Sequence, residues 1–140
     1  MRLLYRLADR IRDRGRRRSW PEESATGRRA EDLAHRFLQE RGVVIVARNY
    51  QAPFGGADLD LVGWEGDTLA FVEVKARSSA QAEPPQRAVD AEKQRHLERA
   101  ARDFAGRSGV DSTRMRFDVV SVVLAEPPAI EWIPGAFGPR

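Results

Sequence analysis

Four charged residues, Asp58, Asp60, Glu73 and Lys75, fall where a single β-hairpin would gather them. Asp58-Leu59-Asp60-Leu61-Val62 alternates with period two, and Leu69 to Lys75 is a second strand-like run, joined to the first through Glu65-Gly66-Asp67-Thr68. Gly66-Asp67 reads as a two-residue turn with glycine in the first central position, as type II′ prefers, which pairs Glu65 with Thr68. Counting outward from that pair, Asp60 faces Glu73 and Asp58 faces Lys75, and all four share one face. Facing carboxylates have Cβ atoms only about 5 Å apart, and like charges that close are destabilising unless something positive lies between them. A divalent cation removes the conflict. Mg²⁺ and Mn²⁺ take hard oxygen ligands and keep several waters, so two or three carboxylates suffice, with the carbonyl of Val74 as a further donor.

Of the 24 basic residues only Lys75 and Lys93 are lysine. Beside a cation and a phosphoester, a lysine can orient an attacking water, assist its deprotonation or stabilise charge on the phosphorane. Arginine does this poorly, because its guanidinium effectively never deprotonates. The plain alternative is a solvated hairpin face carrying charges of both signs. Phe71, Val72 and Val74 argue against it, since a strand that apolar is usually buried, where unpaired charge is costly.

The elements that must position these residues can be read along the chain. One hundred and forty residues, 41% apolar, suit one compact domain. The absence of cysteine excludes disulfide scaffolds, thiolate metal sites and cysteine nucleophiles. No apolar run approaches the roughly 20 residues of a membrane span, and the first eighteen residues lack the apolar core of a secretory signal, so the expected location is the cytoplasm. Residues 1 to 19 carry eight arginines against Asp9 and Asp13, while the rest of the chain is mildly acidic. Such an arm can neutralise phosphates, either as a solvated segment or as an amphipathic helix over residues 2 to 13.

Trp20 to Ser24 reads as a linker. A helix is expected from near Thr26, with Ala30, Leu33, Ala34, Phe37 and Leu38 on one stripe and Gly42 as its stop. Val43 to Ala47 forms the first strand. Ser78 to Gln86 reads as a mobile loop, and a long helix follows from Asp90, a good N-cap, to about Gly106. Met115 to Leu124 is a buried strand, and Ile130 to Ile133 can add a short edge strand. Asp118 inside that buried strand points to a structural hydrogen bond more than to catalysis.

Asp60, a turn, then Glu73-Val74-Lys75 resembles the Asp, Glu-x-Lys signature of the restriction-endonuclease-like nucleases. Residues 25 to 137 resemble one family in particular, the YraN-like bacterial proteins, predicted endonucleases similar in pattern to Holliday junction resolvases. The runs that carry the likeness include Ala30-Glu31-Asp32-Leu33-Ala34, Ala47-Arg48-Asn49-Tyr50, Asp60-Leu61-Val62, Phe71 through Arg77, Val89-Asp90 with Lys93-Gln94, Arg116 through Val120, and Trp132 through Phe137. The resemblance implies an α/β fold of restriction-endonuclease-like (tRNA-endonuclease-like) type. This is a mixed central sheet flanked by helices in the order αβββαβ, preceded by a basic arm over residues 1 to 24.

The same resemblance makes Asp60 and Glu73 metal ligands that act in catalysis with Lys75, and it adds Glu31 as a further ligand for Mg²⁺ or Mn²⁺. Asp58 is auxiliary and departs from the family, which more often has the longer glutamate there. Lys93 and Gln94 are auxiliary residues near a helix N-terminus. Arg77 and Arg48, with Arg16, Arg17 and Arg18 of the arm, are the expected nucleic-acid contacts. The implied function is metal-dependent hydrolysis of nucleic-acid phosphodiesters, DNA first, in branched or single-stranded form, and a homodimer is left open. The alternative is a nucleic-acid-binding or assembly module that keeps the fold with little or no catalysis. A third reading is a structural protein with a buried ion network.

Overall fold

The computed structural model describes residues 22–54, 57–78 and 89–138. The basic arm with Arg16, Arg17 and Arg18, and the loop from residue 79 onward, lie outside the described residues. Helix α1 spans Glu22–Glu40, so the chain is helical already at Glu22–Ser24, which the sequence suggested as linker. Ala30, Ala34 and Leu38 recur every four residues and are fully buried, the spacing that keeps one stripe of a helix against a sheet. The helix stops at Gly42, whose φ of +87° is open to glycine and strained for other residues.

Five strands follow: β1 (Val44–Tyr50), β2 (Leu59–Glu65), β3 (Thr68–Arg77), β4 (Met115–Val123) and β5 (Ala129–Phe137). They form one sheet in sequence order, antiparallel throughout except for the parallel pair β3–β4. Helix α2 (Ala91–Ser108) lies in the connection between those two parallel strands. Asp90 caps it by accepting from the backbone N–H of Lys93, and Gly109 ends it in the left-handed conformation. The expected αβββαβ order is therefore present, consistent with a restriction-endonuclease-like fold. The last strand is longer than the short edge strand that Ile130 to Ile133 suggested.

Each helix covers one face. Leu97, Ala100 and Ala101 of α2 pack with Val62, Leu69, Phe71, Phe117 and Val119, while Ala30, Ala34 and Leu38 of α1 pack with Leu61, Ala70, Val72, Val120 and Val122. Strand β3 thus buries both its faces, with Leu69 and Phe71 toward α2 and Ala70 and Val72 toward α1. The strand period of two carries Glu73 and Lys75 onto the α2 face. Opposite Val72 in the parallel ladder is Asp118, which is fully buried. Both its oxygens accept from Arg116 (Nε at 2.8 Å, Nη2 at 2.9 Å), and it also accepts from Trp132 Nε1 and the Gly135 N–H, each at 3.0 Å. Arg116 Nη1 donates onward to Glu65 at 2.9 Å. One buried carboxylate therefore ties β4 to β5, the structural bonding expected of it.

Candidate functional site

The hairpin register is the one counted from the turn: Glu65 pairs with Thr68, and the ladder runs to Leu61 opposite Val72. Gly66 has φ +58°, and Asp67 is not among the residues with positive φ, which fits glycine at the first central turn position. Beyond Leu61 the sheet forks. Strand β2 stays with β1 to the pair Tyr50–Leu59, and β3 stays with β4 to the pair Arg77–Val123, but the pairing between β2 and β3 has ended. The Asp60 carboxylate bridges the fork by accepting from the backbone N–H of Val74 at 2.8 Å. Asp60 and Glu73 thus sit where the β2–β3 ladder ends.

Glu73 is 5% exposed, and one of its oxygens, Oε1, lies 2.7 Å from Lys93 Nζ and 3.5 Å from Lys75 Nζ. The two ammonium groups are more open, with side chains 25% exposed for Lys75 and 38% for Lys93. Burial, then the charges of Glu73 and Glu31, push the Asp60 carboxyl well above the ordinary carboxylate range, against the opposing pull of the Val74 N–H and Lys93. Three carboxylates therefore feel one another here. Burial works against the charge on Lys93, but its bond to Glu73 prevails and raises its pKa above the usual lysine value.

The remaining expected residues are placed unevenly. Glu31 reaches from α1 toward the fork, with its carboxylate 3.5 Å from Arg48 Nη2. Arg48, expected to meet phosphates, is 7% exposed and lies under α1, with its guanidinium paired to Asp32 and Glu31. Asp58 lies outside β2 and is exposed, so the pairing with Lys75 counted from the turn does not extend to it. Gln51 Nε2 stands 3.5 Å from it, and partial desolvation of the carboxyl raises its pKa against the pull of that contact, with Glu73 adding to the rise. Gln94 spends its side chain on the carbonyl of Val89 at 2.8 Å, tying the entry of α2. Arg77 closes β3 and is half-buried.

The donor set suits Mg²⁺ or Mn²⁺ in kind, since it consists of hard carboxylate oxygens whose mutual repulsion already favours a cation. Among the described residues no three carboxylate or imidazole groups converge as a ready-made cage. Mg²⁺ does not require one, because it is commonly held by one or two carboxylates together with water and substrate phosphates. Asp60 and Glu73 would hold the ion, with Glu31 beside them. Among the described residues no helix is long and apolar enough to cross a membrane.

Residues 30–122 match the family profile described as "Uncharacterised protein family UPF0102". A UPF0102 protein of Solibacter usitatus is 54% identical over 135 residues, covering 96% of this chain and 98% of the relative. Those of Koribacter versatilis and Rhodococcus jostii are 42% and 41% identical, covering 84% and 81% of this chain and 82% and 96% of their own.

Proposed function

Starting from the membership of this chain in the uncharacterised bacterial family UPF0102, we propose that it is a metal-dependent nuclease hydrolysing phosphodiesters of DNA. One observation carries the reading: Asp60, Glu73 and Lys75 meet where the β2–β3 ladder ends, with the Asp60 carboxylate on the Val74 N–H between the other two. A bound Mg²⁺ or Mn²⁺ would polarise the phosphoryl group and neutralise charge that grows on its oxygens. Asp60 and Glu73 supply the carboxylates that hold it. Lys75, on the same face as Glu73 and partly open to solvent, holds the attacking water or the phosphorane oxygen through its N–H groups. In the reaction, water adds its oxygen to phosphorus, one ester P–O bond breaks, and the departing oxygen takes a proton. Arg77, at the end of β3, is available to grip the backbone beside the site, and the arginines of the arm add charge for further phosphates.

The test is cleavage of branched, single-stranded and duplex DNA, with RNA counterparts, in Mg²⁺ and in Mn²⁺. Thermal melting with and without metal should run beside it. Metal should raise the melting temperature of the wild type, since a ligand that binds only the native state stabilises it by mass action. The double variant Asp60→Asn, Glu73→Gln should lose both the rise and the cleavage. A specific observation favours a second reading: Glu73 is already matched by two ammonium groups, as in a binding module that needs no metal. Tight DNA binding without cleavage and without a metal-induced shift would select that reading.

A further inference from the structure

Lys93 makes the shortest contact to Glu73 and comes from a different element, the first turn of α2. Its position is unusual for a surface lysine. Glu73 is nearly excluded from solvent, and a buried carboxylate must be compensated by a positive group or by protonation. Lys75 alone stands 3.5 Å away, longer than a good charge-assisted hydrogen bond, whereas Lys93 at 2.7 Å has ideal length. Lys93 is also the more exposed of the two side chains. No other described contact of its ammonium to a carboxylate is short enough to be an ion pair.

We propose that Lys93 is a displaceable internal cation: its ammonium takes the position of the divalent ion on Glu73, leaves when the ion binds, and then serves a substrate phosphate. This rests on the metal-dependent reading above and goes beyond it in assigning a competition. The competing species are both cations at one carboxylate, so they cannot both hold it at 2.7 Å or less without strong repulsion. Displacement leaves the α2 backbone undisturbed, because Asp90 caps Lys93 through its backbone N–H and not through its side chain. The long flexible stem of lysine allows the head group to swing while Cα stays fixed. The freed ammonium then lies at the rim of the fork, beside the N-terminus of α2, where an anionic oxygen is favoured. Metal binding and phosphate binding become positively coupled through one side chain, and the metal-free site does not carry bare clustered carboxylates.

The experiment is calorimetric titration of the full chain with Mn²⁺ at pH 8, above the carboxylate range, comparing wild type with Lys93→Met and Lys93→Arg. Removing the competing ammonium should tighten Mn²⁺ binding in Lys93→Met by roughly tenfold or more, because a hydrogen bond to a charged group is worth that factor. Lys93→Arg keeps the competitor and should bind no more tightly than wild type. A second readout needs no cleavage: binding of a labelled DNA duplex in Ca²⁺ against salt. The wild-type log-log slope should exceed that of Lys93→Met by about 0.9, the contribution of one phosphate contact on duplex DNA. Equal or weaker Mn²⁺ affinity in Lys93→Met, with normal binding by the wild type, overturns the inference and leaves the metal site standing. No Mn²⁺ binding by any of the three proteins overturns both. Tighter Mn²⁺ binding with an unchanged slope overturns the phosphate role.

Discussion

Two buried carboxylate clusters lie one strand position apart in this sheet, and they are treated in opposite ways. Asp118, opposite Val72, receives four hydrogen bonds from Arg116, Trp132 and Gly135, so every lone-pair direction is used and its charge is met by a guanidinium of opposite sign. Its bonds to Asp118, against the opposing effect of burial and with Glu65 adding to them, hold the Arg116 pKa above the usual arginine value. The neighbouring cluster is left in conflict. Asp60 receives one backbone N–H, feels the charges of Glu73 and Glu31, and has its pKa pushed upward. A satisfied polar network fixes one arrangement of the chain, whereas an unsatisfied one stores an affinity for something else. The contrast separates the residues that hold β5 from those proposed to do chemistry.

The largest effect should come from breaking the satisfied cluster. Asp118→Ala removes the acceptor of Arg116 Nε and Nη2 and of the Trp132 N–H, leaving Arg116 only its bond to Glu65, and should lower stability by about 3–5 kcal/mol. Urea denaturation of the full chain measures it, and a loss below 1 kcal/mol would mean that solvent reaches the network. The opposite sign is expected at the fork. Asp60→Asn removes one of the repelling charges while its amide oxygen can still accept from Val74, so the metal-free protein at pH 7 should gain about 1 kcal/mol. Saturating Mn²⁺ should shrink or reverse that gain, because only the wild type is then stabilised by the ion.

A smaller effect lies away from both clusters. Tyr50 donates to Asp103, and burial followed by that bond pushes its phenol up to about 12 from 10. A folded pKa above the unfolded one gives a contribution that is complete below about pH 10 and is lost as pH rises through about 12. Wild type should therefore lose stability over that window relative to Tyr50→Phe. Parallel declines, followed by denaturation at a series of pH values, would show that the Tyr50–Asp103 bond is not maintained in solution.

Much of the fork could be read from the chain. The turn residues Gly66-Asp67 and the alternation on either side determine the register as far as Leu61 opposite Val72, whereas the ladder ends before the counted pair of Asp60 with Glu73 and the Asp60 carboxylate meets the Val74 N–H instead. Periodicity located α1 and α2, because Ala30, Ala34, Leu38 and then Leu97, Ala100, Ala101 bury at helical spacing. What escaped depended on contacts between distant elements. The burial of Arg48 follows from the irregularity in β1 between Ile45 and Ala47 and from α1 lying over it, and neither leaves a mark on local pattern. The only non-glycine residue of positive φ among the described residues, Asn49 at +53°, adjoins it, and asparagine tolerates that conformation well enough to pass unnoticed. The grip of Lys93 on Glu73 likewise depends on where α2 crosses the sheet. The rarity of lysine, its place near the start of a helix and the family resemblance marked the residue, but none of them named its partner.

Single-turnover cleavage in Mn²⁺ by wild type and Lys75→Arg, with affinity measured separately in Ca²⁺, tests the central claim most directly. If Lys75 positions or activates the attacking water, the arginine variant should keep most of its DNA affinity and its metal binding while its cleavage rate falls by roughly 10²-fold or more, the scale of losing an acid–base participant. Near-normal cleavage by Lys75→Arg, or a loss confined to affinity, would contradict the assignment and reduce Lys75 to a phosphate anchor.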